Sequence, residues 1–183
     1  YTKAVEYFVK AISLKSETSA DSGTTISATE FIASCYFNLK DYSKAEQEYR
    51  KLMSAYSYDD QNTGKIRTLQ NLALTLEKQN KYAEAIEMHQ QLRNIFVQNK
   101  KLNLMTEVLN NIGYNNVLLK NYSEAKLAFL NAEKLMANGN FKKDFEPELY
   151  VNIGICYQNT GEFHNALLYL NKALKIRESE EDL

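Results

Sequence analysis

Five segments of this chain can be laid over one another without a gap, and that regularity limits its fold more than any other feature. They are YTKAVEYFVKAISL, DYSKAEQEYRKLM, KYAEAIEMHQQLR, NYSEAKLAFLNAE and EFHNALLYLNKAL, with central alanines at Ala4, Ala45, Ala85, Ala125 and Ala166, spaced by 41, 40, 40 and 41 residues. A fixed period of this length marks a stack of small supersecondary units, none of which can bury its apolar face alone.

The residues around each alanine define the unit. An aromatic stands three before it, at Tyr1, Tyr42, Tyr82, Tyr122 and Phe163; Phe8, Tyr49, His89, Phe129 or Leu170 stands four after it; Ala11, Leu52, Leu92, Ala132 or Ala173 stands seven after it. Spacings of three, four and seven keep side chains on one helical face. Upstream lie the pairs Ile32-Ala33, Leu72-Ala73, Ile112-Gly113 and Ile153-Gly154, followed three residues on by Tyr36, Leu76, Asn116 and Tyr157. This is a second amphipathic helix, whose small residue lets the two backbones approach closely. One proline and six glycines in 183 residues favour long helices, so the fold class expected is all-α. Helices are predicted over 1–16, 26–39, 42–57, 65–79, 82–98, 103–119, 122–138, 145–160 and 163–179, joined by polar connections such as SADSG, SYDDQNTG, NKKLN and ANGNFKKDFEP.

The order of large, small and aromatic residues on a first helix, then aromatic, alanine, aromatic and small on a second, resembles the tetratricopeptide repeat over essentially the whole chain. The resemblance implies a single right-handed α-solenoid domain, 1–183, of about four and a half repeats: a half repeat 1–25, then 26–65, 66–105, 106–146 and 147–183. The units depart from the usual 34-residue repeat in being longer and in lacking its closing proline. Long units of this kind are similar to those of kinesin light chains, LGN-type spindle-orientation proteins and Rap-type peptide sensors.

The same resemblance implies a protein-interaction scaffold that holds a peptide against the inner wall built by the first helices. Asn71, Asn111 and Asn152 stand fourteen residues before their alanines, where such repeats often grip a peptide backbone. A side-chain amide both donates and accepts, so it can pair with a peptide group of any sequence. Phe31 replaces the asparagine in the first complete repeat. Helical spacing adds Arg67, Gln70, Asn110, Tyr114, Phe37 and Ile155 to the expected wall, with an apolar anchor site near Tyr114, Val117, Val151 and Ile155. A clamp for acidic chaperone tails is disfavoured, because its lysine and asparagine places hold Glu30, Gln70, Asn110 and Val151, and Ser34, Leu74, Tyr114 and Ile155. Two other roles fit the same architecture: a structural or self-associating subunit of a larger assembly, and the ligand-sensing part of a regulator whose effector domain lies outside these residues.

Other classes of function find little support. A net charge of −1 with interspersed signs offers no footprint for nucleic acid or anionic membrane. No stretch approaches the roughly 20 apolar residues of a membrane span, and residues 1–20 lack the core of a signal peptide, so a cytoplasmic setting is expected. Cys35 and Cys156 share one register and read as small apolar filler; His89 occupies a core slot, whereas His164 opens the last helix among polar residues. No group of ligands has metal-site spacing, and no phosphate-binding glycine string occurs, so neither enzyme activity, metal nor cofactor is expected. Helix 1–16 is a second helix without its first, so Val5, Phe8 and Ile12 are expected to be partly uncovered and the natural chain to extend toward its N-terminus. The closing RESEEDL reads as a frayed acidic tail.

Overall fold

The computed structural model describes residues 1–3, 6–7, 10, 22–56, 63–137 and 145–181. Eight helices run through the described residues: α1 (Ser22–Asn38), α2 (Tyr42–Ala55), α3 (Thr63–Lys78), α4 (Tyr82–Gln98), α5 (Leu102–Leu118), α6 (Tyr122–Ala137), α7 (Glu146–Asn159) and α8 (Phe163–Glu181). Each matches an expected helix to within a few residues. The helix expected over 1–16, with Ala4, Val5, Phe8 and Ile12, falls mostly outside the described residues, as do most of the connections 57–64 and 137–147. The last helix runs two residues past its expected end, to Glu181, and within the segment expected to fray Arg177 reaches Glu148 of α7 at 3.3 Å; residues 182–183 lie outside the described residues.

The turn inside each hairpin repeats one backbone geometry that the sequence conceals. Lys40, Asn80, Lys120 and Gly161, each five residues before a central alanine, adopt positive φ of 62°, 59°, 61° and 80°. The following amide donates back five residues in the Schellman pattern, Asp41 to Tyr36, Lys81 to Leu76, Asn121 to Asn116 and Glu162 to Tyr157, at 2.8–3.0 Å. The carbonyl of that same residue then accepts from the alanine amide and opens the second helix, so three residues reverse the chain. Gly161, and to a lesser degree Asn80, are residue types that this conformation favours, whereas the lysines at 40 and 120 are not.

Contacts divide the chain into two compact units, residues 1–88 and 89–183. In the first unit α1 packs on α2 and α2 on α3. Its core is Ile32, Ala33, Ala45, Tyr49, Leu52, Leu69, Leu72 and Leu76, all essentially inaccessible. The contact between α2 and the next hairpin is reinforced by Glu46, which accepts from Gln79 (2.8 Å), Lys81 (2.7 Å) and Arg50 (2.8 Å), while Arg50 also reaches Glu84 at 2.5 Å. Burial draws the Glu46 carboxyl upward, but the bonds from Lys81, Arg50 and Gln79 outweigh it and hold the pKa down at about 2.

In the second unit α5 packs on α6, α6 on α7, and α7 on α8. Leu109, Ala125, Phe129, Ala132, Leu149, Ile153 and Cys156 form its buried centre. Gly113 is required there by the Phe129 ring: a Cβ on Gly113 would stand 2.5–2.7 Å from three ring carbons. Lys126 of α6 bonds Glu162 in the turn of the next hairpin. This is the register of the Glu46–Lys81 pair with the signs exchanged. A column of aromatic rings, Tyr150–Tyr169 (5.9 Å) and Tyr169–Tyr157 (5.5 Å), lies between Lys172 and Lys126, with Glu133 accepting from Tyr169 at 2.8 Å.

Candidate peptide-binding surface

The first helix of each hairpin sets its polar stripe beside a buried pair, which fixes where the stripe's side chains stand. In the first unit, Ile32-Ala33 on α1 and Leu72-Ala73 on α3 are buried. Phe31 on α1 is therefore turned outward, 58% exposed, and Asn71 on α3 is half-buried. In the second unit Ile112-Gly113 and Ile153-Gly154 place Asn111 and Asn152 in the same half-buried position.

The amides of these three asparagines differ from those of their neighbours. Asn38, Asn115, Asn116 and Asn159 each donate from the side chain to the carbonyl four residues back, at 2.8–2.9 Å, and so are used within their own helices. The side chains of Asn71, Asn111 and Asn152 make no such bond, nor any other, among the described residues. Half-exposed amides that keep their donors and acceptors open are what a backbone-gripping wall needs.

In the first unit the wall is indented. A cavity of about 180 Å³ is lined by Ser34, Phe37 and Asn38 of α1, Tyr49 of α2, and Asn71 and Leu74 of α3. Its floor is tied by a Ser34–Tyr49 hydroxyl contact of 3.3 Å. Burial pushes the Tyr49 phenol up, so it stays neutral. Of the expected residues, Phe37 and Asn71 thus share one cavity. Arg67 does not present a free cation: Glu30 of α1 takes its guanidinium in a two-point contact, one arm at 2.7 Å. That pairing raises the Arg67 pKa and leaves the α1/α3 wall nearly neutral here. Gln70 is exposed beside it.

In the second unit Tyr114 is 51% exposed and Ile155 is half-buried, whereas Val117, expected beside them, is drawn against the buried centre. Asn110 lies on the same helix with its Oδ1 buried and without a hydrogen-bond partner. Tyr49 is the cavity residue that sequence reasoning assigned wholly to the core; a tyrosine where other repeats have Phe129 or Leu170 was the available signal, since its hydroxyl must find a partner.

Other sequence readings can be placed directly. Cys35 and Cys156 are buried free thiols, and burial raises that of Cys156 to about 11. His89 is buried and His164 exposed. Among the described residues no three His, Cys, Asp or Glu side chains gather as metal ligands would, and no helix is long and apolar enough to cross a membrane.

No match is found among curated protein sequences. Solved structures align closely despite low identity. BtubC (BKLC) from P. vanneervenii is 18% identical with a TM-score of 0.76, over 96% of this chain and 75% of that one. Kinesin light chain TPR-like repeats from Podosopora anserina are 13% identical with a TM-score of 0.80, over 98% and 88%. The apo form of RapI is 17% identical with a TM-score of 0.80, over 96% of this chain and 48% of RapI. At such identities these likenesses show the fold, an α-solenoid of helix hairpins. Family models described as tetratricopeptide repeat match residues 24–98 and 147–180, together more than half of the sequence, and the chain belongs to the tetratricopeptide-repeat family.

Proposed function

We propose that this chain is a non-catalytic scaffold that binds a peptide segment of a partner protein on the walls formed by its first helices. The observation that carries the reading is the contrast among asparagines: four donate to their own helices, while Asn71, Asn111 and Asn152 hold open amides at one repeated register. Each unit contributes its own share, Asn71 beside the cavity in the first, Asn111 and Asn152 in the second. An apolar side chain of the peptide would seat against Phe37 and Leu74 while Asn71 holds the peptide group next to it. Tyr114 and Ile155 offer the second unit's apolar contact, with Gln70, Asn110 and Phe31 completing the surface. A cytoplasmic setting suits a protein that keeps Cys35 and Cys156 as free thiols.

The test begins with peptides selected from an unbiased display library on the 183-residue chain. Three backbone bonds at about 1 kcal/mol each correspond to roughly a hundredfold in Kd. Alanine at Asn71, Asn111 and Asn152 together is expected to weaken the selected peptides by about that factor, measured by fluorescence anisotropy. A correctly folded triple variant that binds them unchanged removes the asparagines from the mechanism.

A further inference from the structure

The cavity of the first unit has apolar walls and a polar floor, and together they restrict what can sit in it. Phe37 and Leu74 supply the walls. The Phe37 ring meets Tyr42 edge-on, with centroids 5.4 Å apart, which fixes its orientation. At the floor the hydroxyls of Ser34 and Tyr49 share one hydrogen bond. Two hydroxyls carry two hydrogens, so one O–H is left without an acceptor among the described residues. Both residues line the cavity and Tyr49 is only 2% exposed, so the missing acceptor has to come from whatever fills the space. Asn38 spends its side-chain amide on the Ser34 carbonyl at 2.8 Å, which leaves its Oδ1 to accept.

Charge is excluded from this seat. The lining contains no ionised side chain, and Glu30 and Arg67, one turn before Ser34 and Asn71 on the same two helices, are taken up by each other. A seated carboxylate, ammonium or guanidinium would lose its water without gaining a counter-ion. Size narrows the choice further. An apolar cavity of about 150 Å³ holds benzene, so one of about 180 Å³ has room for a six-membered ring with one added atom. Phenylalanine or leucine would bury the spare hydrogen unmatched. A carboxamide would bring two donors and an acceptor to a floor with one spare hydrogen, once Asn71 is given to the adjoining peptide group. A phenol matches: its ring lies against Phe37 and Leu74, and its oxygen accepts from the spare O–H and donates to Asn38 Oδ1. We infer that the cavity seats one unphosphorylated tyrosine side chain of the bound peptide, an inference that rests on the peptide-binding reading above. The first unit thereby reads a residue, while the asparagines read only backbone. A phosphate on that tyrosine would carry up to two negative charges to a floor without a cation, so phosphorylation of the partner releases it.

The test selects peptides from a randomised display library on the 183-residue chain and discards those that also bind Leu74→Glu. That variant charges the cavity wall at an exposed position and leaves Asn71, Asn111 and Asn152 intact. The remaining peptides are expected to share one tyrosine. Changing it to phenylalanine should weaken binding to the unaltered chain about fivefold by fluorescence anisotropy, the worth of one neutral hydrogen bond. Against a chain carrying Ser34→Ala with Tyr49→Phe, its folding checked by far-UV circular dichroism, the two peptides should bind alike. The phosphotyrosine peptide should bind the unaltered chain at least tenfold more weakly. Enrichment of phenylalanine or leucine instead of tyrosine overturns the inference. So does a tyrosine preference that persists without both hydroxyls, or a phosphotyrosine peptide bound equally well. An empty selection overturns it together with the peptide-binding reading. Otherwise the two fail apart: asparagine variants that bind unchanged leave the tyrosine seat standing, and selected peptides without tyrosine leave the asparagines standing.

Discussion

Replacing Gly113 by alanine sets two effects of known sign against each other. In a helix interior, alanine is favoured over glycine by about 1 kcal/mol. Against this, the new methyl would lie 2.5–2.7 Å from three carbons of the Phe129 ring, where carbon contacts settle at about 3.5–4.0 Å. About 1 Å must therefore open between α5 and α6. The ring cannot supply it, because Phe129 is wholly buried and walled by Leu109, Leu149 and Ile153. Overpacking of this kind costs about 1–3 kcal/mol, so a net loss of roughly 1 kcal/mol or more is expected. Gly154 supplies the control. Its added methyl meets Leu170 at 2.8–2.9 Å, but that side chain is 36% exposed and can rotate toward solvent. Gly154→Ala should therefore be neutral or slightly stabilising. Urea denaturation of the two variants, followed by circular dichroism, measures the difference, and adding Phe129→Leu to Gly113→Ala should recover part of the loss as a favourable coupling. Equal effects at the two glycines, or stabilisation by Gly113→Ala, would refute the ring-contact argument.

Glu46 has its pKa depressed from an ordinary value near 4.5 to about 2 in the folded chain, so its contribution is complete above pH 4.5 and is lost as pH falls toward 2. After allowance for solvent screening this is about 1–2 kcal/mol, and Glu46→Gln should flatten stability against pH in that window, as acid titration of urea midpoints would show. Lys120→Gly relieves a left-handed backbone position at a lysine whose side chain makes no hydrogen bond or ion pair among the described residues, and should raise stability by about 0.5–1 kcal/mol in the same assay. Lys126→Glu should weaken the second unit and Glu162→Lys restore it when the two are combined; a double variant no better than the single one would deny that the pair joins successive hairpins.

The helices were legible because the alanine register carries its own period: every helix from Ser22 onward is bounded by residues that the repeat already marks. The turns were not. A glycine in the left-handed position announces itself, but Lys40, Asn80 and Lys120 are held there by the helices on both sides, and a lysine gives no local sign of it. The wall was read in part. Spacing from Asn71, Asn111 and Asn152 identifies the face, yet it cannot foresee that Arg67 is claimed by Glu30 across a 37-residue gap, or that Val117 turns to the core while Tyr114 stays out. These outcomes depend on how one hairpin rests on the next, which a single repeat does not encode.

The two charge pairs between hairpins have opposite polarity, Glu46 to Lys81 and Lys126 to Glu162. Hairpins that share one backbone are consequently not interchangeable. Setting the hairpin of Glu162 after that of Glu46 would oppose two acids, and setting the hairpin of Lys81 after that of Lys126 would oppose two bases. The chain thus carries an order for its parts in the sign of four side chains, and a gene duplication or recombination that shuffled them would be penalised at the joints before any binding surface was tried.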